Sequence, residues 1–159
     1  MKKEIEKKFL VKHIPKKLNG FLIKQGYLQR DIKRTIRIRT VLKEPSSVGY
    51  LTIKGISNEG GTSRYEFETK IPFKDANDLL NLCDRPLIIK TRYHFRFKGF
   101  LWEIDEFHEE NAGLLIAEIE LGDVNQTFPL PDFIKREVTG EKKYYNSMLI
   151  EKPFLSWNG

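Results

Sequence analysis

A mainly β (α+β) domain, built as a closed antiparallel β-barrel of about eight strands with a few flanking helices, is what this sequence predicts. Three observations carry that expectation. Apolar and polar residues alternate at period two in segment after segment as far as Leu121. Gly, Asn, Pro or Ser separates the segments, as tight turns require. On the polar faces carboxylates and cations are segregated, so that some segments offer one sign of charge alone.

The strands are expected at about 3–11, 22–30, 34–41, 49–55, 63–71, 87–98, 100–107 and 114–121. Asn58-Glu59-Gly60-Gly61 and Lys98-Gly99 read as hairpin turns, because glycine adopts positive φ without steric cost. Helical spacing appears at 75–83, where Ala76, Leu79, Leu80 and Cys83 share a face, and again near 132–137 and 141–150. Periodicity alone fits a sandwich as well as a barrel; the charge pattern favours the barrel.

The length of 159 residues suits one domain, 1–159, with a core that needs no disulfide. Hydrophobic residues at 40% and charged residues at 31% describe a globular chain and disfavour disorder. A net charge of +6 points to an anionic partner without choosing which. No apolar run is long enough for a signal peptide or a membrane span, which predicts a cytoplasmic protein with no membrane partner. Cys83, the single cysteine, reads as a small buried hydrophobe.

In the first strand Glu4, Glu6 and Lys8 share one face while Ile5 and Phe9 take the other. The pattern repeats in Arg37 and Arg39, in Thr52 and Lys54, and in Arg64, Glu66 and Glu68. It continues through Lys90 and Arg92, Glu103 and Asp105, and Glu118 and Glu120. For any one strand this is an ordinary solvated face. Segregated signs on nearly every strand instead describe a site. Converging carboxylates suit hard ions such as Mg2+ or Mn2+, and Arg and Lys suit phosphate oxygens, so the two sets together call for a polyanion and a metal. Unaccompanied charges in a dry interior would each cost several kcal/mol.

Glu4-Ile5-Glu6-Lys7-Lys8 resembles the ExExK signature of the CYTH, or triphosphate tunnel metalloenzyme, superfamily. The likeness continues in order through Arg37-Ile38-Arg39, Thr52-Ile53-Lys54, Ser63-Arg64-Tyr65-Glu66-Phe67-Glu68, Lys90-Thr91-Arg92-Tyr93, Trp102-Glu103-Ile104-Asp105, Glu118-Ile119-Glu120 and Val138-Thr139-Gly140 with Tyr144 and Asn146. The resemblance implies an eight-stranded tunnel in which Glu4, Glu6, Asp105, Glu118, Glu120 and Glu103 surround metals. It implies that Lys8, Arg37, Arg39, Lys54, Lys90 and Arg92 hold triphosphate, with Lys8, Lys90 and Glu4 nearest the chemistry. Glu66 and Glu68 share the inward face with Arg64, their roles open between orienting cations and joining a metal. Tyr27 is expected to shape the tunnel mouth or to pack the barrel. A helix at 141–150 is expected to plug or line the tunnel; its Lys142 and Lys143 point to different faces and read as solvated.

The likeness to short single-domain members, through Gln25-Gly26-Tyr27-Leu28 and Lys90-Thr91-Arg92-Tyr93, implies metal-dependent cleavage of inorganic triphosphate to pyrophosphate and phosphate. The rivals are a class IV-type adenylate cyclase, a thiamine or nucleoside triphosphatase, and a non-catalytic polyphosphate or nucleotide sensor. Nucleic acid is disfavoured, because the cations sit on strand faces without a basic arm or an aromatic platform. His13, His94 and His108 receive no chemical role. With the charges inward, Ile5, Phe9, Ile36, Ile38, Ile53, Phe67, Trp102, Ile104 and Ile119 face out, and the cover expected for them is the helices together with a homodimer contact.

Overall fold

Strand β1 (Lys2–Val11) is the seam of the molecule. Glu6 to Leu10 pair antiparallel with β8 (Leu115–Glu120), and on the other edge Lys2 to Ile5 pair with β5 (Ser63–Ile71). The remaining strands, β2 (Phe21–Gln29), β3 (Arg34–Lys43), β4 (Ser46–Gly55), β6 (Ile88–Phe97) and β7 (Phe100–Phe107), complete the circuit β1-β5-β4-β3-β2-β6-β7-β8-β1. Closure removes both sheet edges and makes the two faces of every strand unequal, one luminal and one external. This computed structural model describes residues 2–157; Met1, Asn158 and Gly159, which the single-domain expectation included, lie outside the described residues.

All eight expected strands form within a few residues of their anticipated limits. Both expected hairpins form too, with Gly61 at φ +72° and Lys98 and Gly99 both at positive φ. The helix expected near 132–137 does not form: Ile134–Glu137 is a short strand, β9. The reason is tertiary. β5 leaves β1 beyond Ile5, and β9 takes over the vacated edge at Phe9 and Val11, satisfying backbone groups that a helix would leave unpaired. The segment expected as one helix at 141–150 is a 3-10 turn, Lys142–Tyr144, and then α2, Asn146–Glu151.

The outer face is covered in two places. Helix α1 (Phe73–Leu80) lays Ala76 and Leu80 over Ile38 and Leu51, with Cys83 buried beside them. On the opposite side Phe128 and Phe133 pack over Phe9, Trp102, Ile104 and Ile119. Ile53, Phe67 and Tyr65 stay exposed on the outside of β4 and β5. Inside, Tyr27, Ile88, Phe107 and Ile116 form an apolar floor with Tyr144, Leu149 and Ile150, closing one end of the cylinder. No helix among the described residues is long and apolar enough to cross a membrane.

The β4–β5 turn touches the loop after β9 through two glycines. A Cβ on Gly61 would lie 2.3 Å from the Gly140 Cα, and one on Gly140, at φ +79°, would lie 2.6 Å from the Gly60 carbonyl oxygen. Gly140→Ala is therefore expected to lower the unfolding free energy by about 2 kcal/mol in urea titration; an unchanged midpoint would show that the two loops do not bear on each other.

Candidate functional site

Above the apolar floor the lumen is charged. Its inner part is a narrow cavity with Lys8, Arg37, Arg39, Lys54 and Lys90 in its wall alongside Glu6 and Glu118. It widens into a vestibule where Glu4, Glu66, Glu68, Arg92, Glu103 and Glu120 appear. Period two in the strands is what aims these side chains inward, and the antiparallel register sets which of them are neighbours. His94, Glu103, Glu118 and Lys8 form one lateral row; Tyr27, Arg37, Thr52 and Glu68 form another.

Asp105 anchors the deepest cations. It is 1% exposed, accepts hydrogen bonds from Arg92 Nε and Nη2 at 2.8 and 2.9 Å, and lies 2.8 Å from Lys90 Nζ. Burial opposes its ionisation, but Arg92 and Lys90 outweigh that and hold the carboxyl down at about 2. Lys90 moves the other way: burial, helped by Arg92 and Arg39, lowers it to about 7 although Asp105 pulls it up. Arg92 rises well above its ordinary value because Asp105, Glu103 and Glu118 overcome its burial. Asp105, which the resemblance sets beside the metals, has both oxygens engaged by the side chains of Arg92 and Lys90.

Nearer the seam, Lys54 Nζ lies 2.8 Å from Glu4 Oε2 and 3.6 Å from Glu66. Burial would raise the Glu4 carboxyl, and the Lys54 ammonium with its hydrogen bond brings it below its usual range. Glu6 is pushed well up by burial and by the nearby Glu118 and Glu4. Glu118 is held far down against burial by Lys8, Arg92 and Lys90 and by a hydrogen bond from Glu6. Glu6 and Glu118 are thus driven apart, the first up and the second down, as two enclosed carboxyls are when they lie close together.

Arg37 Nη2 donates to Thr52 Oγ1 at 3.1 Å and to Glu68 Oε2 at 3.3 Å, while its buried Nε has no acceptor among the described residues. Glu68 thus pairs with Arg37 and Glu66 with Lys54, and Arg64 lies over the Tyr145 ring. Four further expected residues lie at the ends of the lumen or outside it. Tyr27 is buried at the closed inner end, packing the barrel, the second of its two expected roles. Glu120 lies at the outer rim, largely exposed and paired with Lys2. Lys142 and Lys143 are outside the lumen, Lys143 against Tyr144 and Trp157.

Gln25 and Asn146 are functional candidates that the sequence reading left without a role. Asn146 Oδ1 accepts from both Lys90 Nζ and Gln25 Nε2 at 2.8 Å, and Gln25 Oε1 accepts from Arg39 Nε at 2.8 Å. A polar Gln25 among the inward Phe21, Ile23 and Tyr27 of β2 was a usable signal; Asn146 lies outside the strands and shows no period. His94, assigned nothing, lies 3.2 Å from Glu103 in the vestibule.

A closed β cylinder whose lumen interleaves cations and carboxylates around a narrow cavity belongs to the class of polyanion-binding tunnel proteins. Over 99% of its length, 160 aligned residues, the chain is 49% identical to an Acetivibrio thermocellus protein named inorganic triphosphatase, 99% of which is covered. A Nitrosomonas europaea protein of the same name is 33% identical over 150 residues, 92% of this chain and 95% of that one. The crystal structure of the inorganic triphosphatase NE1496 superposes with a TM-score of 0.65 at 30% identity, covering 100% of this chain and 99% of that one. No family model matches the sequence. The chain belongs to the inorganic triphosphatase family of the CYTH superfamily.

Two outcomes follow from the charge pairing. A carboxyl depressed from about 3.9 when unfolded to about 2 stabilises the fold above the higher value and stops doing so as pH falls through the lower. Asp105→Asn should cost about 3–5 kcal/mol at neutral pH and remove this part of the acid sensitivity between the two values, read by denaturant unfolding at stepped pH. Lys90, near 7 in the free protein, is mostly neutral at pH 8 and regains its proton beside an anion. Calorimetry of metal-free tripolyphosphate binding in buffers of different ionisation enthalpy should show proton uptake that Lys90→Met abolishes; equal uptake in the variant would contradict the assignment.

Proposed function

We propose that the protein hydrolyses inorganic triphosphate to pyrophosphate and orthophosphate inside this lumen. The supporting observation is the inner cavity, on which Lys8, Arg37, Arg39, Lys54 and Lys90 converge from four different strands. Such a set neutralises the oxygens of a linear polyanion and is held in advance, so little reorganisation accompanies the reaction. The family relatives are named for this activity.

The carboxylates fit a divalent cation in chemistry. Glu4, Glu6 and Glu118 offer hard oxygen donors to the lumen, and the buried Glu4 Oε2, though close to Lys54, makes no well-directed hydrogen bond. Among the described residues no three such groups are already gathered in metal-binding geometry, so holding the ion involves loosening the Glu4 to Lys54 pair and the Glu6 proton. Mg2+ or Mn2+ held by Glu4, Glu6 and Glu118, with Glu103 and Glu120 nearer the mouth, would supply charge neutralisation and a more acidic water.

The chain's own groups do the rest. Lys90, held by Asp105, faces the deepest phosphoryl group and Arg92, held by the same carboxylate, the approach to it; Arg37 turns its unpartnered Nε to the substrate; Lys8, with its ammonium 5.4 Å from the Tyr145 ring centroid, lines the same cavity. The apolar floor keeps bulk water from the closed end and strengthens every charge interaction there.

Tripolyphosphate, ATP and thiamine triphosphate, each offered with Mg2+ or Mn2+, should yield fastest turnover of tripolyphosphate, with pyrophosphate and orthophosphate in equal amounts. Glu4→Gln should weaken metal-dependent turnover and Lys90→Ala should reduce kcat/KM, each by about 100-fold. Cyclic AMP as the dominant product, or wild-type rates in both variants, would defeat the proposal.

A further inference from the structure

Gln25 is completely buried, and Asn146 borders the inner cavity beside Ser147 and Tyr145. Their amide orientations are set by chemistry. Arginine can only donate, so the Gln25 atom 2.8 Å from Arg39 Nε is the oxygen, and its nitrogen must point to Asn146. The Asn146 atom that receives this N–H, and the Lys90 ammonium as well, is then Oδ1. Nδ2 is left over. Among the described residues nothing accepts from it, and the residue lines the space between Lys90 and Lys8.

We propose that Gln25 and Asn146 form a directional amide relay which fixes Arg39 and Lys90 relative to each other and presents Asn146 Nδ2 as a neutral hydrogen-bond donor to the innermost phosphoryl oxygen. The inference rests on the triphosphatase reading and deepens it. Asn146 is the catalytic residue of the pair, since it touches substrate, and Gln25 is a positioning residue acting through Asn146 and Arg39. A neutral donor here adds what another cation could not. It contacts the phosphoryl group without adding to the repulsion from neighbouring guanidinium groups, which reinforces the burial that lowers Lys90 and Arg39. It also stops the chain end at a defined depth, above the floor made by Tyr27 and Phe107, so that the bond to be cleaved lies level with the luminal carboxylates.

The decisive variant is Asn146→Asp. Its carboxylate still accepts from Lys90 and from Gln25, so the protein network survives while the donor is lost and an anion faces the phosphate. If Asn146 only buttressed Lys90, Asn146→Asp would lose no more than its added charge imposes at a distance, about 10-fold or less, and Asn146→Ala, which adds no charge, would lose no more than Gln25→Leu. The relay predicts that kcat/KM for tripolyphosphate falls about 100-fold or more with thermal unfolding unchanged, the scale of a hydrogen bond to a charged group plus repulsion. Asn146→Ala, a neutral second variant, should fall about 10- to 100-fold. Gln25→Leu should lose about 10-fold, and combining it with Asn146→Ala should be no worse than Asn146→Ala alone, because either change cuts the same chain. Wild-type kcat/KM in Asn146→Asp, or strictly multiplicative losses in the double variant, overturns the relay. Calorimetric affinity for metal-free tripolyphosphate separates the two claims. Should the unmodified protein bind without turnover, the triphosphatase reading fails, yet weakened binding in Asn146→Asp still supports the relay and undiminished binding still refutes it.

Discussion

One buried carboxylate holds the lumen together. Asp105 binds Arg92 through two hydrogen bonds and Lys90 through an ion pair, all at 2.8–2.9 Å and nearly out of reach of solvent. Without it, Lys90, Arg92 and Arg39 would be same-sign neighbours in a low-dielectric enclosure, an arrangement whose cost runs to several kcal/mol per charge. With it the set is tolerable but not relaxed: Lys90 is drawn down to about 7 and Arg39 to about 9, burial being the larger cause in each. The resting site is therefore short of negative charge, and a polyanion relieves that deficit. Affinity for triphosphate is, on this account, the complement of the stability given up to keep the cations in place.

The same tension exists among the acids. Glu6 is pushed up by burial and by its acidic neighbours while Glu118 is held down against burial by Lys8 and Arg92, and Glu4 leans on Lys54. Of the carboxylates that would take a divalent cation, Glu4 has the Lys54 ammonium as its partner and Glu118 has the Arg92 guanidinium. Barrel closure makes this possible, since β1 supplies Glu4, Glu6 and Lys8 from a single strand whose two edges are shared among β8, β5 and β9. The plug formed by Tyr144 to Ile150 then closes one end, leaving the vestibule as the wide approach and the polar inner cavity as the terminus.

How much of this was legible in the sequence follows from which properties are local. Luminal parity is local, because neighbours in a strand point opposite ways; Arg37 with Arg39 and Glu103 with Asp105 announced the inward face without any knowledge of the fold. Depth along the tunnel is not local. It depends on strand stagger, which is why Tyr27 lies at the floor rather than the mouth and Glu120 at the rim. Nor can pairing preferences be read from composition: Asp105 looked like any other carboxylate until two cations were found on its oxygens. β9 was misread as helix because its conformation is dictated by the unpaired edge of β1. Asn146 was hidden for a related reason, as its role depends on a plug that enters the barrel from outside the strand pattern.

The central claim is that acids and bases from opposite parts of the chain surround a metal and a triphosphate inside one cylinder. Anomalous diffraction from crystals grown with Mn2+ and a non-hydrolysable triphosphate analogue tests it most directly. The account predicts manganese inside the barrel, bound by oxygens of Glu4, Glu6 or Glu118, with the terminal phosphoryl group against Lys90 and Asn146. Manganese confined to the outer surface, with Glu4 still paired to Lys54 and no analogue in the lumen, would contradict it.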